Sequence, residues 1–131
     1  MDDPEYQRAG ALFDKRHMCV VDPLPKSLQA AFVEARKDTT VNHSMNGQRK
    51  FENNGSLKDY SIIENLYRIE VPTLVLNGRY DSMVDKTVKP FFWRIPQAKW
   101  VQFAESSHTA YVEEPDRFFE VVGRFLELTP I

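Results

Sequence analysis

The sequence predicts an α/β fold built on parallel strands, and three features carry that expectation. The run VPTLVLNG at residues 71–78 is compact, apolar and rich in branched side chains, and it ends in a polar turn. That is the pattern of a parallel strand buried on both faces. A second stretch, KWVQF at residues 99–103, alternates enough to make another strand. Each strand is followed by a loop and then a helical pattern, and such alternation implies a right-handed crossover between parallel neighbours.

Taken in order, the chain opens with a helix over residues 4–19. Pro4 can stand in a first helical turn, where its missing N–H costs nothing, and Tyr6, Ala9, Leu12, Phe13 and His17 recur at helical spacing. Asp22-Pro23-Leu24-Pro25 stops it, because each proline pushes the residue before it out of the α region. Residues 27–37 form a shorter helical pattern with Leu28, Ala31, Phe32 and Ala35 on one face. Residues 38–56 carry Gly47, Asn53, Asn54 and Gly55 with little periodicity and read as irregular chain, with room for a brief helix near Val41. Asp59 or Ser61 is then expected to cap a short helix presenting Ile62, Ile63, Leu66 and Ile69. Beyond the first strand, residues 84–95 read as a helix that Pro90 bends or divides. Residues 104–108 form a turn of small residues. Pro115 opens a final helix whose apolar face is Phe118, Phe119, Val122, Phe125 and Leu126. A boundary falls near residues 57–70, between a helical front part and an α/β back part. Two strands leave edges and apolar faces unpaired, so the sheet is expected to be part of a larger one.

Composition narrows the function classes. At 131 residues the length suits one domain with a real core, and 42% hydrophobic with 27% charged residues is ordinary globular composition. A net charge of −2 gives no electrostatic case for nucleic acid or an anionic membrane. No apolar run approaches the roughly 18 residues that span a bilayer. The opening MDDPEYQRAG is acidic and polar, unlike a secretory or transit leader, and Cys19 is the single cysteine. These point to a reducing, cytoplasmic compartment as the default. Cys19 lies in the apolar context HMCVV, which favours a buried, inert thiol. His17 and His43 lack partners at zinc-ligand spacing, and no metal or cofactor is implied. Phe91, Phe92 and Trp93 read as core and packing residues, and Asn77-Gly78 as the turn after the strand.

The chemistry sits at the strand ends. In open α/β sheets, sites form at the carboxyl ends of strands, and Asp81 and His108 each lie just past one. Adjacent parallel strands would bring their loops side by side. An acid beside a histidine fixes its tautomer and stabilises its protonated form, so that the imidazole can act as general base and then general acid. The bland alternative is that Asp81 caps the turn or the next helix and His108 is structural.

Sequence motifs favour the first reading. From residue 71 onward the chain resembles the C-terminal part of an α/β-hydrolase, in Gly78-Arg79-Tyr80-Asp81, Ser107-His108 and Glu113-Glu114-Pro115. The segments Met45-Asn46-Gly47-Gln48-Arg49-Lys50-Phe51 and Gly55-Ser56-Leu57-Lys58-Asp59-Tyr60 resemble the cap-to-core segment of the proline iminopeptidase group of serine peptidases. Residues 6–17 are similar to its cap helix, which ends in an H-x-C pattern. The resemblance implies a C-terminal portion of an α/β-hydrolase fold, with residues 1–56 as part of a helical cap. Residues 57–131 would then form the last two parallel strands of the core with their flanking helices. It also implies release of an N-terminal residue from small peptides or amides, with Asp81 as the catalytic acid of the triad, His108 as the base and Asp85 as a neighbouring turn or helix-cap residue.

The chain departs from that family in two respects. The nucleophile of such enzymes sits in G-x-S-x-G ahead of the acid and histidine. Ser27, Ser44, Ser56 and Ser61 all lie outside such a motif, and no HGG-type oxyanion segment is present. The 131 residues alone are therefore expected to be inactive. The carboxylates that hold a substrate ammonium in the family correspond here to Lys50 and Ser82, which points to a different amide or ester, unless Glu52 or Glu64 substitutes. A non-catalytic alternative is association with a partner, or with a second copy, through the exposed strand edge.

Overall fold

In the computed structural model of the chain, which describes residues 3–128, the two expected strands are β1 (Thr73–Gly78) and β2 (Ala98–Phe103). They pair in parallel, Thr73 opposite Ala98 and Gly78 opposite Phe103, and among the described residues they are the whole sheet. The chain runs α1 (Pro4–His17), α2 (Lys26–Ala35), α3 (Thr40–Met45), a 3₁₀ turn (Ile63–Arg68), β1, α4 (Asp85–Arg94), β2, α5 (Ala110–Glu113) and α6 (Pro115–Glu127). Among the described residues, 3–11 with 21–61 form one compact unit, and 12–20 with 62–128 form the other.

In the first unit, the region expected to be irregular contains α3, at the place of the expected Val41 helix, so His43 is an exposed helical residue rather than a loop residue. The Asp38 carboxylate accepts from the Thr40 amide at 2.9 Å at the start of this helix. The Thr40 hydroxyl and amide hold Asp38 below the usual carboxylate range. After α3 the chain folds back: Asn54 and Gly55 amides reach the Asn46 carbonyl, and Ser56 and Leu57 amides reach the Ser44 and Met45 carbonyls. Gly47 adopts a φ of +114°, a conformation that glycine takes at no steric cost.

In the second unit, α4 packs on both strands and on the 3₁₀ turn. Leu66 and Phe103 are fully buried, with Val88, Ile95, Ala110 and Cys19 close behind. Cys19 is thus the buried thiol its apolar context predicts. α6 lies over the end of β2, its Phe118 ring 5.8 Å from that of Phe103.

Several local expectations need correction. The short helix expected after residue 60 is a 3₁₀ turn, Ile63–Arg68, with Ile62 rather than Asp59 or Ser61 at its N-cap position. Of the two effects expected of Pro90, division does not occur: α4 is continuous from Asp85 to Arg94. A proline in the second turn removes one bond to the Lys86 carbonyl, and four further residues carry the helix on. Trp93 is not core but 72% exposed, and Phe119 and Leu126 on α6 are each 63% exposed. β1 is half-buried over Thr73–Leu76 and buried only at Asn77 and Gly78, so it lacks the cover on both faces that its composition anticipates. The short helix α5 has no counterpart in the sequence reading, because the adjacent Pro115 hides it.

Candidate active site

The buried polar residues of the second unit gather at one end of the sheet. Asn77, Asp81, Ser106, Ser107 and Thr109 are all buried and all lie at or just beyond the carboxyl ends of β1 and β2. Among the described residues, no buried side-chain nitrogen or oxygen lacks a partner. Burying so many polar groups is tolerable only when each is hydrogen-bonded.

The two loops are sewn together by backbone. The Arg79 amide donates to the Phe103 carbonyl at 2.8 Å, continuing the strand ladder by one bond. The Tyr80 amide donates to the Ser106 carbonyl at 3.0 Å, and the Asp81 amide closes a turn onto the Gly78 carbonyl. Gly78 makes this approach possible, because a Cβ there would run into the Ser106 and Ser107 carbonyls.

That stitching delivers the two residues singled out from the sequence. His108 Nδ1 lies 3.0 Å from Asp81 Oδ1. Asp81 is 6% exposed and His108 43% exposed at the side chain. The same Asp81 oxygen accepts from the Met83 amide at 2.8 Å and the Ser82 hydroxyl at 3.3 Å. Three donors on one oxygen offset the cost of burying a carboxylate and fix its rotamer. An ionised carboxylate can only accept, so Nδ1 carries the hydrogen and Nε2 is the nitrogen left to exchange a proton. Both residues border a cleft of about 530 Å³ beside β1, which also meets Val75, Leu76, Val88 and Phe91.

Three contributors were missed by sequence reasoning. Asn77, read as a simple turn residue, is a hub: its amide nitrogen lies 3.3 Å from both the Met83 carbonyl and Asp85 Oδ1, and its oxygen accepts from the Trp100 indole at 2.8 Å. It thereby pins the Asp81 loop to the start of α4 and to the neighbouring strand. Asp85 also accepts from Gln102, so its role is to tie α4 to β2 beside the site. His17 Nδ1 lies 2.7 Å from the Tyr80 carbonyl and braces the same loop from the end of α1. A polar residue at the end of an apolar strand was the available signal for Asn77. His17 lies 63 positions from its partner and gave none.

Lys50, Glu52 and Glu64 have local partners. Lys50, in the first unit, stands 5.8 Å from the centre of the Phe51 ring. Glu52 pairs with Arg49 at 2.9 Å and Glu64 with Arg94 at 3.3 Å. Among the described residues there is no cluster of His, Cys, Asp or Glu able to hold a metal, and no helix long and apolar enough to cross a membrane.

Solved structures share this architecture. The crystal structure of VinJ superposes with a TM-score of 0.91 at 40% identity, over 98% of this chain and 44% of that one. The crystal structure of a proline iminopeptidase from Mycobacterium smegmatis gives 0.89 at 36% identity, over 96% of this chain and 42% of that one. The fold is that of the C-terminal part of an α/β-hydrolase: two parallel strands, their flanking helices, and an acid–histidine pair past the strand ends. More narrowly, the chain resembles the C-terminal part of the proline iminopeptidases, peptidases of α/β-hydrolase type, across nearly all of its length. The curated proline iminopeptidase of Saccharolobus solfataricus is 33% identical over 125 residues, which are 95% of this chain and 40% of that protein. The chain thus spans about two fifths of the length of the relatives it matches. No family model matches the sequence.

Proposed function

We propose that this chain supplies the acid and the base of a serine-hydrolase triad to an α/β-hydrolase of the proline iminopeptidase type, whose nucleophile lies on a segment outside these 131 residues. The observation that carries the reading is the 3.0 Å contact between buried Asp81 and half-exposed His108. In the reaction, His108 Nε2 takes the serine hydroxyl proton as the oxygen attacks the carbonyl of an N-terminal residue. It returns that proton to the departing amine, and then repeats the exchange with water to free the acyl group. Asp81 holds the ring and stabilises the imidazolium formed at each transfer. The substrate class is a small peptide or amide. Ser82 and Lys50 replace the carboxylates that the family uses for a substrate ammonium, so an amide or ester without that group falls within the same reading.

The purified 131-residue chain is expected to release no arylamine from a prolyl arylamide above the buffer rate. Turnover that disappears in His108→Ala would overturn the claim that the nucleophile is supplied from elsewhere.

A second reading is favoured by a specific observation. β1 is only half covered, the cleft beside it is lined largely by apolar side chains, and Trp93, Phe119 and Leu126 are exposed. An open strand edge with apolar flanks promotes association with a partner or a second copy. Light scattering after size exclusion is expected to give a mass above that of the 15.3 kDa chain. A cooperative, monomeric protein at the same concentrations counts against it.

A further inference from the structure

Glu113 holds the backbone on both sides of His108. Its Oε2 accepts from the Ser107 amide at 2.9 Å and the Thr109 amide at 3.1 Å, the residues immediately before and after the histidine. Its Oε1 accepts from the Ser107 hydroxyl at 2.6 Å and from the Val20 amide at 2.7 Å. Helix α5 is the device that returns this carboxylate beneath the loop, with the Val112 and Glu113 amides both bonded to the Thr109 carbonyl. Four donors on one side chain, two of them flanking amides, fix the peptide planes around His108 and so the direction of its Cα–Cβ bond.

The segment that supplies Val20 makes further ties of the same kind. The Thr109 hydroxyl donates to the Met18 carbonyl at 3.0 Å, and His17 braces the Tyr80 carbonyl at 2.7 Å. Residues 17–20 therefore hold the loop of His108 and the loop of Asp81 at once, with Glu113 as the junction. All four donors are neutral amides or a hydroxyl, so the arrangement needs two accepting oxygens at the right reach.

We propose that Glu113 is a positioning residue that keeps His108 Nδ1 on Asp81, linking that contact to the chain segment around Val20. The inference deepens the hydrolase reading and rests on it for its functional meaning, but its test needs no turnover. In the ¹⁵N-labelled chain, the hydrogen on His108 Nδ1 is shielded by Asp81 and is expected to give a resolved imidazole signal. The Trp100 indole, bonded to Asn77, reports the integrity of the fold in the same spectrum.

Two variants separate reach from charge. Glu113→Asp keeps the charge but is one methylene short of the flanking amides. It is expected to lose the His108 Nδ1 signal to solvent exchange while the Trp100 signal stays. Glu113→Gln keeps the reach: its oxygen can serve the Ser107 and Thr109 amides and its nitrogen can donate to the Ser107 hydroxyl, but it cannot accept from the Val20 amide. The His108 signal is therefore expected to persist while the Val20 amide signal shifts. A Glu113→Asp spectrum with the His108 and Trp100 signals both unmoved overturns the proposal. If Glu113→Asp unfolds, Glu113→Gln decides: persistence of the His108 signal together with a shifted Val20 amide supports the proposal, and an unmoved Val20 amide, or loss of the His108 signal beside an intact Trp100, overturns it. Failure of the hydrolase reading would look different, as a completed enzyme indifferent to His108→Ala while these spectra came out as expected.

Discussion

In a hydrolase completed by joining this chain to a G-x-S-x-G-bearing segment, Asp81→Asn is expected to lower kcat by about ten-thousand-fold with KM nearly unchanged. Asparagine matches aspartate in volume, so the buried site is filled, and both orientations of the amide fail. With its oxygen toward His108, the ring hydrogen on Nδ1 is still accepted, but a neutral amide cannot stabilise the imidazolium. With its nitrogen toward His108, Nδ1 must accept, and the hydrogen moves to Nε2, the atom that has to take the serine proton. Stopped assays on a prolyl arylamide, with thermal unfolding as a control on the fold, check the result. A loss below tenfold would mean that Asp81 merely caps its turn, the bland reading of that residue.

Asp81 and His108 could be found in the sequence because two local rules converge on them. A compact apolar run identifies a strand without reference to the rest of the chain, and parallel pairing then forces the loops at the strand ends together. The contact at 3.0 Å follows from that topology. What holds the pair in place depends on contacts that no local rule reports. Glu113 meets Val20 across 93 positions and Thr109 meets Met18 across 91, and neither pairing has a periodicity or a turn signature. The short helix expected near residue 63 is a 3₁₀ turn that buries a single side chain, Leu66, rather than a stripe. α6 shows the opposite limit. Its apolar face is plain in the sequence, yet Phe119 and Leu126 remain exposed, since periodicity identifies a face without saying what covers it.

Gly78→Ala is expected to be strongly destabilising, while Gly10→Ala is expected to be neutral or mildly stabilising. Gly10 lies inside α1 with nothing within 4 Å of the place an added methyl would take, so alanine there gains about 0.5–1 kcal/mol of helix preference. At Gly78 the added Cβ would meet the Ser106 and Ser107 carbonyl oxygens and lie 2.6 Å from the Ser106 carbonyl carbon. Those atoms are backbone in a loop already fixed by Glu113 and Glu114, which accept from Ser107 and Ser106. The loop cannot yield by turning a side chain; it must move as a body or β1 must leave its register. Overpacking of this kind costs about 1–3 kcal/mol and sometimes more, and a rigid backbone neighbour places this site at the upper end. For a chain of this size, a loss of about 3 kcal/mol corresponds to a fall in Tm of roughly 10 °C. The displacement also separates the loops that carry Asp81 and His108, so the imidazole signal of His108 is expected to weaken along with the melting temperature. Calorimetry of the two variants beside the parent chain checks the opposite signs. Equal melting temperatures for Gly78→Ala and the parent would mean that the two loops have slack, and that the acid–histidine contact does not depend on their close approach.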